Sequence, residues 1–433
     1  MLSSTLAGIP LSNCIYNASG PRTGSSAAMS KIAASASGAV LAKSATIKSQ
    51  KGNPLPRTWH ADAPSDSPSV ASLNSEGLPN AGIDYYLSDS TINETMATSK
   101  ENEKKPYMVS ISGKTLDDNL FMLKEIIKRK NEGAAIAAVE LNLACPNIIG
   151  KPIIGFDFPQ MDSVLKAVSD LYKKAMKNSE QKLIIGVKMP PYFDTPHFEE
   201  AASKLNKYKD CISYVASINT IGNALAIDTY SEMPVIASKG GFAGLSGPAV
   251  KYTALANVRQ MRRLLDPSID VVGVGGVQSG QDVFDLILCG ATAVQIGTAH
   301  WIEGPKCFDR ISNELEVLMK EKGYSSISQF QNKLKDWTKE GASASRQYRK
   351  NLKMEQSTTS EDANKDKKNS NVFFSDALTN VMFMIVTVLL VHHKISILNI
   401  DNDIDECVSK GDDFYFNISV VLTLAVGLLI LTR

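Results

Sequence analysis

Glu140-Leu141-Asn142-Leu143-Ala144-Cys145-Pro146-Asn147 places one thiol between two carboxamides at the end of an apolar run. Residues 137–143 are continuously apolar apart from Glu140 and Asn142, which predicts a strand buried on both faces, as in a parallel sheet. Residues just past the carboxyl end of such a strand face the ligand in a barrel or sheet, so Asn142, Cys145 and Asn147 are candidate site residues. A thiol there can act as nucleophile or general base, and the amides can fix a small polar substrate through paired donors and acceptors. Free Cys is also commonly a small buried hydrophobe, so the meaning of Cys145 depends on the rest of the chain.

Working outward, short apolar runs alternate with amphipathic ones from Cys14 to Thr298. Strands are predicted at Ile15–Ala18, Ala39–Ser44, Tyr107–Ser112, Ala137–Leu143, Leu183–Met189, Ser213–Ile218, Asp270–Val274 and Ala293–Gly297. Helices are predicted at Leu116–Lys130, Gln160–Lys177, Phe198–Lys209, Pro248–Leu265 and Gln281–Leu288. Eight strands in this alternation predict an α/β chain folded as a (β/α)8 TIM barrel. Polar and Gly-rich positions cluster just after the strand ends: Asn17 and Ser19, Lys43, Asn142 and Cys145, Lys188, Asn219 and Thr220, Gly275 and Gly276, Gly297 and Thr298. In a closed barrel all of them converge on one face.

Two of these groups suggest chemistry. Gly273-Val274-Gly275-Gly276-Val277, with a helix from Ser279, and Gln295-Ile296-Gly297-Thr298 put backbone donors after strands seven and eight, where a barrel binds phosphate. Read instead as a dinucleotide fingerprint, Gly273, Gly275 and Gly280 come too late in the domain and lack the following strand with an acidic end. A flavin mononucleotide phosphate suits the position better than NAD. Lys43 and Lys188 interrupt apolar runs, where an ammonium is costly unless an anion meets it; a reduced flavin or a substrate carboxylate supplies one. By contrast His60, His197 and His300 are isolated, without metal-ligand spacing.

The chain has 433 residues and nearly balanced charge, 46 Lys plus Arg against 45 Asp plus Glu, which gives no nucleic-acid footprint. Six scattered cysteines without a CxxC pair argue against a zinc site, an iron–sulfur cluster or a disulfide framework. Met1 to Asn13 has neither a basic residue nor a long apolar core, so a cytosolic catalytic domain is expected. Residues 1–345 are read as that domain, 346–371 as a polar disordered linker and 372–433 as a membrane tail with apolar segments at 377–393 and 414–432. The second segment approaches the ~20 residues that cross a bilayer. Basic residues before the first segment and at Arg433, with an acidic loop between the two, suggest a hairpin with both ends cytosolic.

Taken in order, Asn17 to Gly20, Ala42 to Thr46, Gly52 to Arg57, Asn74 to Asn80, Asn142 to Asn147, Gly150 to Pro152, Gly186 to Phe193, Asn219 to Asn223, Gly244 to Gly247, Gly275-Gly276 and Cys289 to Pro305 closely resemble the fumarate-using class 1A dihydroorotate dehydrogenases. The match runs from Met1 to about Leu334. The resemblance implies a homodimeric FMN barrel that oxidises (S)-dihydroorotate to orotate in pyrimidine synthesis, with Cys145 removing the C5 proton, hydride passing from C6 to FMN, and fumarate as acceptor. By motif match Lys43, Asn74, Gly77, Leu78, Asn142, Asn147, Asn219 and Thr220 bind the pyrimidine. Ala18, Ser19, Lys43, Ser44, Asn142, Lys188, Gly247, Gly275, Gly276, Gly297 and Thr298 would hold FMN. The Gly and Pro hinges of the loop from Pro146 to Gly155 would let it close over the substrate.

Several positions depart from the family. Ala144 and Thr220 stand where it usually has Ser, and Glu76 where it has Met. A carboxylate at Glu76 is expected to repel an anionic ligand unless it points outward. The segment Thr58 to Ser72 is longer than its counterpart, and the tail is foreign to the soluble branch. Two other readings therefore remain open: a tethered FMN enzyme that reduces quinone, and a flavin-binding paralogue with impaired turnover. Quinone-using relatives have a Ser base and an amino-terminal membrane helix, neither of which is found here. Nothing suggests an iron–sulfur partner subunit.

Overall fold

The computed structural model describes residues 1–61, 70–99, 105–144, 153–177, 182–347 and 349–350. Met1–Lys335 form one compact unit and Asp336–Arg433 a second, most of which lies outside the described residues. So do Cys145, Asn147 and the segments at 377–393 and 414–432. Among the described residues no helix is long and apolar enough to cross a membrane.

Eight parallel strands form the predicted barrel: β1 (Ile15–Asn17), β2 (Val40–Leu41), β3 (Tyr107–Ile111), β4 (Ile136–Asn142), β5 (Ile184–Met189), β6 (Ile212–Ser217), β7 (Asp270–Val274) and β8 (Ala293–Ile296). Their hydrogen-bonded order runs from β1 through β8, β7, β6, β5, β4 and β3 to β2. At the remaining seam a side chain does the work of a ladder. The Asn17 carboxamide donates to the Leu41 carbonyl at 2.6 Å and accepts from the Leu41 amide at 3.0 Å, so the end of β1 is tied to β2. Each strand is followed by a helix: α1 (Ser26–Ala33), α2 (Asp89–Met96), α3 (Leu116–Asn131), α4 (Phe158–Met176), α5 (Thr195–Lys207), α6 (Lys251–Leu264), α7 (Gly280–Leu288) and α8 (Lys306–Glu321).

Local chemistry sets several boundaries that the sequence left loose. Reciprocal capping boxes start α3 at Thr115/Asp118 and α7 at Ser279/Asp282. Asp194 caps α5 on the amide of His197, with Pro196 in the first turn, so that helix begins three residues before the expected Phe198. The expected helix from Pro248 opens as a 3-10 turn, Pro248–Val250, before α6 proper. The second strand is shorter than Ala39–Ser44, and Lys43 lies just beyond it because its amide turns to the Thr23 carbonyl at 3.0 Å.

The barrel interior follows the period of two along each strand. Tyr16, Leu41, Met108, Ala138, Ile184, Tyr214, Ala216, Val272, Val274 and Ala293 form one buried cluster, sealed at its base by Leu6, Ile9 and Leu11 of an amino-terminal hairpin. The alternate positions pack outward beneath the helices in a larger core. At the opposite end, excursions after β2 and β6 meet in a four-stranded antiparallel sheet of Thr58–His60, Ser72–Asn74, Ala243–Ser246 and Ile221–Ala224. Trp59 pairs with Leu73 and Leu73 with Leu245 in its registers. The sequence reading did not anticipate this small sheet.

Candidate active site

A cavity of about 420 Å³ opens where the strand carboxyl ends meet the small sheet. Its volume falls in the range of small-molecule and cofactor sites. Of the residues expected to hold a cofactor, Ala18, Ser19, Lys43, Ser44, Asn142, Lys188, Gly247, Gly275, Gly276, Gly297 and Thr298 all line it. Of those expected to hold a substrate, Lys43, Asn74, Gly77, Leu78, Asn142, Asn219 and Thr220 line it as well. Cys145 and Asn147 lie outside the described residues, but the chain before them is in place. Asn142 closes β4 beside Lys188 in β5, and Ala144, one residue before the thiol, lines the cavity.

The glycines fit a cradle that side chains would fill. Gly276 has φ +76°, and a Cβ there would stand 2.4 Å from the Cα of Lys251. Lys251 cannot yield easily, since its Nζ pairs with Asp282 at 2.5 Å and Asp285 at 2.9 Å. A Cβ on Gly244 would meet the Thr220 hydroxyl at 2.2 Å, so the bare backbone lets the small sheet close on Thr220. The amino end of α7, expected to help with phosphate, is otherwise engaged: the amide of Gly280 donates to Glu314 at 2.9 Å and those of Gln278 and Ser279 to Asp282. Gly275-Gly276 and Gly297-Thr298, after β7 and β8, line the cavity.

The hydroxyls of Ser19 and Ser44 in the cavity wall and of the buried Ser110 behind them form a chain with spacings of 3.0 and 2.8 Å. On the other, the Asn219 amide reaches the Ala144 carbonyl at 3.4 Å and its oxygen accepts from the Thr220 amide at 2.9 Å. Asn74 donates to the Gly244 carbonyl at 3.4 Å. The two 3.4 Å contacts are weak, which leaves the amide groups of Asn74 and Asn219 able to turn toward a ligand.

Three buried polar side chains at the cavity floor went unnoticed as a group in the sequence. Lys188 Nζ donates to Gln295 Oε1 at 2.9 Å, and Gln295 Nε2 donates to Glu140 at 2.7 Å and to the Tyr16 hydroxyl at 3.2 Å. Burial pushes Lys188 down to about 8, while Glu140 pulls it back up. Burial also raises the Glu140 carboxyl, against the pull of Lys188. The period of two, which aims residues 138, 140 and 142 inward together, was the available signal.

Glu76 does line the cavity, but Arg57 Nε stands 3.4 Å from its carboxylate. Burial raises its pKa against the pull of Lys43 and Arg57, so the expected repulsion is tempered rather than removed. Trp301 and Phe242 also reach the cavity, and His60 packs edge-on to Trp301 at 5.2 Å. His300 is buried against Phe308, its pKa lowered to about 4 by burial. Burial raises the thiols of Cys14, Cys211 and Cys307 to about 12, and lifts Cys289 too, so none of these four can serve as a base near neutrality.

Residues 1–319 match the family model described as dihydroorotate dehydrogenase. The chain is 43% identical over 336 residues to "Dihydroorotate dehydrogenase A (fumarate)" of Lactococcus lactis subsp. cremoris (strain MG1363), covering 77% of this chain and 99% of that protein. It is 42% identical over 336 residues, with the same coverage, to the protein of that name from Lactococcus lactis subsp. lactis (strain IL1403). Among solved structures it resembles DHODH of Eimeria tenella in complex with ferulenol, with a TM-score of 0.60 at 19% identity over 77% of this chain and 88% of that one. At that identity the likeness speaks for the fold.

Proposed function

The chain belongs to the dihydroorotate dehydrogenase family, and on that premise we propose that it oxidises (S)-dihydroorotate to orotate with fumarate as electron acceptor. The carrying observation is the convergence of Lys43, Asn74, Asn142, Lys188, Asn219 and the paired glycines on one cavity, in a chain aligned with fumarate-named relatives over nearly their whole length.

We assign FMN to the inner part of the cavity. Gly275, Gly276, Gly297 and Thr298 would receive its phosphate, Ala18, Ser19, Ser44 and Gly247 would flank it, and the Lys188 ammonium would offset the negative charge that the group gains on reduction. When bound, FMN supplies a two-electron acceptor for the C6 hydride and returns the pair to fumarate. The protein's own work is positioning and proton transfer. Asn74, Asn142, Asn147 and Asn219 with Thr220 hold the pyrimidine by carboxamide and hydroxyl contacts, and Lys43 with the backbone of Gly77 and Leu78 receives its carboxylate. Cys145 takes the C5 proton. A free thiol titrates near ~8.5 and the thiolate is the active base, so turnover rises with alkaline pH until Cys145 is deprotonated.

Exposed apolar side chains at Leu225, Ile227 and Met233, in the excursion after β6, support a homodimer. The apolar segments at 377–393 and 414–432 support a membrane anchor for a cytosolic catalytic domain. Product analysis tests the reaction. Purified full-length protein, incubated anaerobically with dihydroorotate and fumarate, yields orotate and succinate in equal amounts. Orotate formed only when a quinone replaces fumarate contradicts the acceptor.

A further inference from the structure

The floor of the cavity holds more ionisable chemistry than binding a cofactor requires. Register explains how it assembles. Glu140 in β4 pairs with Gly186 in β5, and Gly186 pairs in turn with Tyr214 in β6. A Cβ at Gly186 would lie 2.0 Å from the Tyr214 ring, so this glycine lets the ring lie across the barrel toward Glu140, with its hydroxyl 3.5 Å from the carboxylate. Lys188 is two residues further along β5 and Gln295 pairs with Tyr16 where β8 meets β1. The Gln295 carboxamide is therefore held at both ends and can point only one way: oxygen to the ammonium, nitrogen to the carboxylate. Glu140 and Gln295 are 1% and 0% exposed, so the bridge is shielded from bulk solvent.

We propose that Glu140 and Gln295 are positioning residues that hold the Lys188 ammonium at the cavity floor and keep it charged, and so fix the number of protons consumed when bound FMN is reduced. This rests on FMN occupying the cavity as set out above. An ammonium buried without a counter-charge is driven toward its neutral form. The carboxylate of Glu140, reached through one carboxamide, opposes that drive, in agreement with the opposing causes that bring Lys188 to about 8. Of the other groups around Lys188, Tyr16 and Tyr214 are held as neutral phenols by burial, and Lys43 lines the same cavity from beyond β2.

Two electrons and one proton convert the oxidised isoalloxazine to its anionic reduced form. Where Lys188 is already charged, nothing more is taken up. Where it is neutral, the negative ring draws a second proton onto Nζ. Proton uptake per two electrons thus rises from one to two at the pH where Lys188 loses its charge in the oxidised protein.

The test is a potentiometric titration of the full-length FMN-loaded protein against pH, with mediator dyes as electron source. In the unmodified protein the slope breaks near pH 8. Glu140→Gln preserves shape and hydrogen bonding but removes the charge, and moves the break down by ~1 pH unit or more; Glu140→Asp leaves it within a few tenths. Gln295→Met cuts the bridge and shifts the break in the same direction, so either variant decides the matter if the other does not fold. Lys188→Met removes the break. A break that stays in place in Glu140→Gln or Gln295→Met, or persists in Lys188→Met, overturns the proposal; a merely structural role lowers stability or FMN affinity without moving it. FMN reduced by dyes but not by dihydroorotate would count against the reaction while the break still decided the proton count. A protein that takes up no FMN defeats both.

Discussion

Gly276 shows how much one missing methyl group can determine. Its φ of +76° disfavours any L side chain, and a Cβ would strike the Cα, Cβ and N of Lys251, whose ammonium is anchored by two carboxylates. Gly276→Ala is expected to lower stability by ~3 kcal/mol and to weaken FMN retention at least tenfold, read by chemical denaturation and by flavin release on dilution. Cys145→Ser should retain FMN while slowing its reduction by dihydroorotate by orders of magnitude in stopped flow, since a hydroxyl is a far weaker base under the same conditions; unchanged reduction would move the base elsewhere. At Glu76, Glu76→Gln removes a carboxylate from the cavity wall and leaves Arg57 uncompensated. The dihydroorotate KM at pH 8 should fall by about three- to tenfold, ~1 kcal/mol of relieved repulsion. At this scale the sequence was informative where a polar residue interrupts an apolar strand, as Lys188 does. It was silent where the partner is distant: nothing between residues 140 and 295 announces that Glu140 and Gln295 touch.

Among the elements, all eight strands were legible because burial on both faces writes a continuous apolar run. Helix boundaries were less so, because they depend on caps such as Asp194 and Ser279 rather than on periodicity. The small sheet escaped notice because its strands are only three or four residues long and its central pairing, Ser72–Asn74 with Gly244–Ser246, spans about 170 residues. The short helix Thr298–Glu303 makes a further test. Its His300, packed against Phe308 of α8, keeps a pKa of about 4 in the folded protein, against about 6.5 when unfolded. The unfolded state then binds the extra proton first, so stability is intact above about pH 6.5 and is lost as pH falls toward 4. Between pH 7 and pH 5 the loss from this residue is ~2 kcal/mol, measurable by urea denaturation, and His300→Leu should abolish that component.

For the whole molecule, the barrel's completeness depends on the seam between its first and second strands. Asn17→Ala removes both bonds to Leu41 and leaves two backbone groups of a buried strand without partners, for an expected cost of ~2–4 kcal/mol in denaturation experiments. Closure matters because residues at the carboxyl ends of seven of the eight strands must meet in one cavity, and a splayed seam would separate Ser19 and Gly297 from Lys43. The central claim is that this cavity transfers electrons from dihydroorotate to fumarate through FMN. Full-length protein purified in detergent and mixed anaerobically with dihydroorotate should lose its flavin absorbance near ~450 nm and recover it on addition of fumarate. Absorbance that dihydroorotate leaves unchanged, or that fumarate fails to restore, would contradict the account.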